Sequence, residues 1–450
     1  MPTGRSKTRR RLRRQFRYLY WSLTVWRRWG PVWASAVLIG LVACLFAGGS
    51  RLSHELFFEI YDHSRYWPLL ITPFGLGLSV WLMHRYFPGA AGGGIPQAIV
   101  TLEPAGSVLR DRFLSLRAAL GKMLLTLLGI SSGATFGYEG PIVQVGAALK
   151  YSLSRRTYRN EGQARSLILA GGAAGVAAAF NTPLAGIVFA IEEMGRTFDQ
   201  RASRTILFSV ILAGLTAIAV MGNDTYFGRA SAAELELGAS WIAVPLCAVL
   251  GGVLGGLTAT VMLRLSERLP GPLHACRLRF PVLFAAACGL VIALIGIASG
   301  GTTFGTGYFR ASDILAGHPE GLENYGLLKL VTMLLSFISG APGGSFAPSL
   351  AVGAGLGLNM AELLPFLPAT PVILLGMVAF FAGMTRAPLT GFVIVMEMTD
   401  SSTMIIPLMA TALIAANLSR FLTRRPLYEG QARLILHPAA AKPTAAPGAN

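Results

Sequence analysis

Long apolar runs separated by short polar or glycine-rich breaks organise this chain. Runs at residues 31–47, 67–83, 114–130, 167–194, 205–221, 241–262 and 282–297 read as helices at membrane depth. The breaks carry a recurrent signature of glycine followed by proline. AAGGGIP at 90–96 puts three glycines before Ile95-Pro96. No stable helix interior holds that, so the backbone breaks and a new helix starts at the proline. Such a break at membrane depth needs protein or a cavity around it.

The stretch 131–149, SSGATFGYEGPIVQVGAAL, sets one acid, Glu139, between two glycines and a proline. Its scaffold recurs at 339–356, SGAPGGSFAPSLAVGAGL, where Phe346 replaces the acid. Lys329, Gly344, Pro348 and Gly353 follow Lys122, Gly137, Pro141 and Gly146 by 207 residues each. RAPLTGFVIVMEM likewise echoes NTPLAGIVFAIEE, with Pro388, Gly391 and Glu397 each 205 residues after Pro183, Gly186 and Glu192. The chain is therefore an internal duplication. Duplicated halves with paired, glycine-broken helices point to a transporter whose site lies between the repeats.

Composition agrees with a membrane solvent. Of 450 residues 53% are hydrophobic and 13% charged, which describes a polytopic membrane protein rather than a soluble enzyme. The net charge of +17 suggests nucleic acid until it is located. Ten basic residues and no acid lie between Arg5 and Arg28, just before the first apolar run. That is a positive-inside signal with a grip on anionic lipid, not a nucleic-acid arm. Trp21, Trp26 and Trp29 suit a membrane interface, and the run that follows is too long for a cleavable signal. Basic residues also lie between Arg420 and Arg425. Both termini are then expected in the cytoplasm, with an even number of crossings, an odd number per half and inverted repeats. The expected division is a basic segment 1–30, repeats 31–265 and 266–430, and a disordered tail 431–450 with no soluble regulatory domain after the membrane part. Cys44, Cys247, Cys276 and Cys288 are scattered and read as small apolar packing residues.

The glycine–proline helix starts carry the chemistry. Unpaired N–H groups at a helix start, together with the helix dipole, attract anions without a buried cation. Three such starts occur, at 92–96, 137–141 and 344–348; if they converge, the bound species is an anion. Glu139 is itself an anion at one of them. It can occupy the site when ionised and leave when protonated, which links proton and anion binding through competition. The acids within apolar runs are Glu139, Glu192, Glu193 and Glu397. Glu192 reads as a helix end at the water interface, because its repeat mate Glu397 is also an acid. Glu193 faces Met398 in the repeat, and an acid kept in one half suits a step needed on one side only, such as proton entry.

Other function classes fare worse. His54-Glu55 lacks the second histidine of a zinc motif, and Ser240 after Gly238-Ala239 has no histidine at membrane depth to activate it. No cofactor or metal is expected, and the chain does not read as an enzyme. A lipid-binding scaffold would explain the basic start but not the buried acids or the repeated helix breaks.

GGGIP, GYEGP, FNTPLAGIVFAIEEM and GSFAP, in this order and spacing, resemble the CLC family of chloride channels and proton-coupled anion exchangers. The likeness covers roughly residues 67–428. It implies an all-α polytopic membrane protein with two inverted repeats of tilted and broken helices, forming a homodimer with one pore per subunit. By the same resemblance Glu139 matches the external gate and Glu193 the internal proton-transfer acid. The anion would be held around Gly93, Gly94, Ile95, Tyr138, Gly140, Ser345, Phe346 and Ala347, with the Tyr428 hydroxyl as a further donor. Without the resemblance, a phenol after a basic helix end reads as interfacial. Two departures stand out. Chloride-selective members usually have serine where this chain has Gly93, and the residue before the gating glutamate is usually arginine or lysine in the family, where this chain has Tyr138. The first removes a donor and leaves the physiological anion open. The second removes a positive charge from the outer mouth. The substitutions expected of fluoride exporters are absent. The first reading is H⁺/anion antiport across the cell membrane, with a passive anion channel of the same fold as the alternative.

Overall fold

The computed structural model describes residues 23–155, 160–195, 200–223, 225–228, 230, 234–235 and 238–437, with side chains 23–28, 200–202 and 239 excepted. The basic segment with Trp21 and Trp26, and the tail beyond His437, lie outside the described residues or side chains. The described residues are helical throughout, joined by turns and one isolated β-bridge.

The chain enters through α1 (Leu23–His63) and α2 (Pro68–Tyr86) and breaks before the short α3 (Ile95–Val100). The first repeat continues as α4 (Leu116–Ser131), α5 (Glu139–Leu153), α6 (Glu161–Phe180), α7 (Pro183–Phe189) and α8 (Gln200–Met221). After α7 the chain runs through a π-turn, Ala190–Gly195. α9 (Ala243–Glu267), α10 (Gly271–Arg279), α11 (Pro281–Ala298) and α12 (Tyr308–Leu315) lead into the second repeat. There α13 (Tyr325–Ile338), α14 (Phe346–Leu363), α15 (Ala369–Thr385), α16 (Pro388–Thr399) and α17 (Ile405–Leu422) match α4 to α8, and α18 (Leu427–Leu436) follows. Six described helices are long and apolar enough to cross a membrane, or seven if the 67° bend between Pro104–Phe113 and Leu116–Ser131 joins one span. Apolar side chains such as Leu45, Leu70, Phe74 and Leu283 stay more than half exposed on the outside, as lipid-facing positions should. The core is built from the small-residue helices α5, α6, α14 and α15, whose glycines and alanines let backbones approach closely.

The duplication is physical as well as textual. α6 and α15 both end on a left-handed residue, Asn181 at φ 56° and Arg386 at φ 60°, repeat mates 205 positions apart. Each is followed two residues on by the proline that opens the next helix. Gly137 and Gly344, also repeat mates, exchange reciprocal antiparallel hydrogen bonds of 2.8 Å. Equivalent residues pair antiparallel only about a local two-fold axis, so the halves are inverted about that point. Buried Lys122 donates to the carbonyls of Ala91 and Gly92, and its mate Lys329 to those of Thr303 and Gly305. Each lysine thus ties down an irregular segment whose carbonyls have no helical partners.

The acids that end the apolar runs do more than end a helix. Glu192 is half-buried and has main-chain partners in the other repeat. Its carboxylate accepts from the N–H groups of Leu389 and Thr390 at 3.0 and 2.6 Å, capping α16. Glu397 returns the same cap to α7 through Leu184 and Ala185 at 3.1 and 2.6 Å. Helices that start at a proline after an abrupt break have orphan N–H groups, and each half lends the other an anionic acceptor. Glu192→Ala or Glu397→Ala is expected to cost about 2 kcal/mol, because two charge-assisted bonds to main-chain donors are lost, one of them partly buried. Thermal unfolding in detergent checks this, and an unchanged midpoint in both variants would contradict it.

Candidate functional site

Three helix starts meet at the local two-fold axis. Gly94 caps α3 at φ 100°, a conformation that L side chains rarely adopt, and a Cβ there would lie 2.3 Å from the carbonyl oxygen of Gly140. Its N–H donates to Oε1 of Gln97 at 2.8 Å, which fixes the loop before the helix. Gly140, in the first turn of α5, packs against the carbonyl of Gly93, at 2.5 Å from an added Cβ. The Gly137–Gly344 bridge then fastens the start of α5 to that of α14. The expected convergence of 92–96, 137–141 and 344–348 is therefore met. Gly93, Gly94 and Ile95 lie together with Gly140, and Ser345, Phe346 and Ala347 lie across the bridge.

Glu139 is the first residue of α5 and is 1% exposed. Its Oε2 lies against Gly137, and the main-chain N–H groups of Glu139 and Ala347 face the carboxylate. Oε1 accepts a 3.1 Å hydrogen bond from the Tyr226 hydroxyl. The carboxylate thus lies at the junction of α5 and α14, where an anion would be drawn by the same N–H groups. Phe346, the first residue of α14, is walled by Phe180 and Phe381, with ring centroids 5.6 and 4.6 Å away.

Tyr428 is central rather than interfacial. It is 4% exposed on α18, which packs against α3. Its hydroxyl lies toward Ser345 without completing a hydrogen bond and is within electrostatic range of both Glu193 and Glu139. Glu193 is 3% exposed in the π-turn after α7, and π-turns concentrate at functional sites. The Tyr138 side chain takes another direction. Its hydroxyl donates to the carbonyl of Ala179 at 3.3 Å and its ring leans on Phe46. The side chain lies in the wall of a cavity of about 250 Å³ that Tyr226 also lines, outside the three-way junction.

Tyr226 is the partner of Glu139 that sequence reasoning missed. It lies in the connection after α8, anchored where the Phe227 N–H donates to the Met398 carbonyl at 2.9 Å. Its ring stands edge-on to Phe180 and Tyr308, at 5.2 and 4.7 Å. The Tyr226-Phe227 pair within a polar connection was the only available signal. Removing a hydrogen bond to a charged group costs about 1.5 kcal/mol or more, roughly tenfold in an equilibrium. Tyr226→Phe should therefore weaken the carboxylate's hold and lower the half-saturating anion concentration by about that factor. Concentration-dependent anion flux checks it; an unchanged half-saturation would show that Tyr226 does not hold the carboxylate against the anion.

Inverted halves, helix starts meeting at a two-fold axis and a buried carboxylate at that meeting point define a polytopic transport protein for anions. The family model described as "Voltage gated chloride channel" matches residues 74–420. The chain belongs to that family, the CLC family. It is similar to the H(+)/Cl(-) exchange transporter ClcA of Salmonella arizonae, 33% identical over 392 residues that cover 82% of this chain and 80% of the relative. The transporter of the same name from Salmonella typhi is 32% identical over 388 residues, with the same coverage. Among solved structures, a slow cyanobacterial Cl-/H+ antiporter superposes with a TM-score of 0.76 at 24% identity, covering 91% of this chain and 99% of that one. A CLC-type fluoride/proton antiporter matches with the same TM-score at 23% identity, covering 91% and 99%.

Proposed function

We propose that this chain is an antiporter that exchanges a chloride-like anion for protons across the cell membrane. Glu139 acts as the external gate and Glu193 as the internal proton-transfer acid. The observation that carries this reading is the position of the Glu139 carboxylate. It lies among the helix-start N–H groups that would hold an anion, so proton and anion compete for one place. Glu193, buried and within electrostatic range of Tyr428, supplies the second acid that a proton path needs. Gly93, Gly94, Ile95, Gly140, Ser345, Phe346, Ala347 and the Tyr428 hydroxyl hold the anion between them. The main chain at Tyr138 belongs to the same set.

The working form in this reading is a homodimer in a lipid bilayer, with one pore per subunit and both termini cytoplasmic. The halves divide as 31–265 and 266–430, between the basic segment 1–30 and the tail 431–450. The exchange-transporter names of the similar Salmonella proteins support antiport. Gly93 and Tyr138, which depart from the family pattern, favour the passive channel as a second reading.

Proteoliposomes separate the two. In an antiporter, a chloride gradient drives protons uphill, recorded as a pH change that accompanies anion flux. Anion flux with no proton movement would leave the channel reading in its place.

A further inference from the structure

The cavity beside the gate has a chemistry of its own. Its walls include Ser50, Arg51, Asn181 and Thr306 and hold no carboxylate. Arg51 is an exposed residue of α1 and makes no ion pair or hydrogen bond with another described residue. It follows Arg28 by 23 residues, about 34 Å of helix, close to the thickness of a bilayer core. It therefore lies at the membrane face opposite the basic N-terminal segment. Tyr138 and Tyr226 form the inner wall, and the Tyr226 hydroxyl already donates to Glu139. The cavity thus leads from an unpaired cation to the gate through one shared side chain. Arg51 also lies within electrostatic range of Tyr138.

We propose that this cavity is a collecting site for a monovalent anion ahead of Glu139, with Arg51 on α1 supplying its positive charge. A cation in a concave, low-dielectric wall with no competing carboxylate raises the local anion concentration. The charge absent from position 138 is thereby restored from a different helix. Hydroxyl and amide donors of Ser50, Asn181 and Thr306 replace part of the anion's water. This inference rests on the anion-transport reading.

The test uses charge reversal at one position. In the full chain carrying Cys276→Ser, the remaining cysteines, Cys44, Cys247 and Cys288, are buried. Arg51→Cys in that background is labelled with a cationic or an anionic methanethiosulfonate, and chloride flux is measured in liposomes. The unmodified thiol should raise half-saturating chloride by on the order of tenfold. The cationic adduct should return it toward the parent value and the anionic adduct should raise it further, with maximal flux and proton coupling unchanged throughout. Arg51→Lys should match the parent and Arg51→Gln the unmodified thiol, which guards against a misfolded cysteine variant. Adducts that act in the same direction, or a parent-like Arg51→Gln, overturn the collecting site while leaving transport intact. A parent protein that moves no anion overturns both readings.

Discussion

Glu139→Gln is expected to abolish proton movement while anion flux continues. The carboxylate lies at the junction of α5 and α14, accepts from Tyr226 and faces the Ala347 N–H. Glutamine keeps the volume and an acceptor oxygen there, but it has no proton to exchange and no charge with which to compete. Loss of a proton-transfer group of this kind lowers the proton rate by on the order of 100-fold or more. Anion flux should become independent of pH, because its only competitor no longer titrates. Glu193→Gln makes a different prediction, since that side chain lies in the π-turn and not among the helix starts. Proton flux should fall, but anion flux should keep its pH dependence through Glu139. The readout is simultaneous pH and chloride recording in liposomes containing each variant. Coupling that survives either substitution would remove that glutamate from its role.

The two glutamates differ in how legible they were. Glu139 stood out because a carboxylate between glycines in an apolar run is costly, and because its repeat mate is Phe346. The duplication itself was readable from Lys, Gly, Pro and Glu at constant offset. Those residue types are kept for backbone reasons, namely positive φ, close approach and helix starts, and such constraints leave marks in sequence. The structure gives each mark its cause, in the left-handed Asn181 and Arg386, the paired Lys122 and Lys329, and the Gly137–Gly344 bridge. The antiparallel sense of that bridge supports the inverted arrangement more directly than the charge pattern of the termini could.

Partners far apart in the chain were the part that did not read out. Glu192 caps a helix through Leu389, 197 residues later in the chain. Nothing local distinguishes such a cap from a carboxylate at a water interface; only its main-chain partners in the other half, Leu389 and Thr390, identify it. Tyr428 posed the same difficulty, since a phenol after two arginines is amphipathic and fits an interface as well as a pore. Tyr226 was hidden for another reason. It lies in an irregular connection, where periodicity carries no information, and its orientation depends on main-chain contacts with α16.

Gly93→Ser should shift selectivity toward chloride, and the backbone around Gly93 says that the substitution can be accommodated. Unlike Gly92 and Gly94 on either side, Gly93 does not have a positive φ. An added Cβ would meet only the Gly343 carbonyl oxygen, at an ordinary contact distance of 3.6 Å. A serine therefore fits beside the junction of the three helix starts without strain. Its hydroxyl would add a donor within a region whose other contributions are main-chain N–H groups and the Tyr428 phenol. A hydrogen bond to an ion contributes about 1.5–3 kcal/mol before the cost of desolvating the hydroxyl is subtracted. Chloride should then bind about tenfold more tightly relative to nitrate. Gly93→Ala separates the hydroxyl from its volume, because the methyl group narrows the cavity and donates nothing. Both variants should fold at least as well as the parent, since replacing a glycine whose φ other residues tolerate removes freedom from the unfolded chain. Competition between chloride and nitrate in flux assays gives the answer. Serine that changes selectivity where alanine does not identifies the hydroxyl as the determinant; equal shifts in the two would assign the effect to cavity size alone.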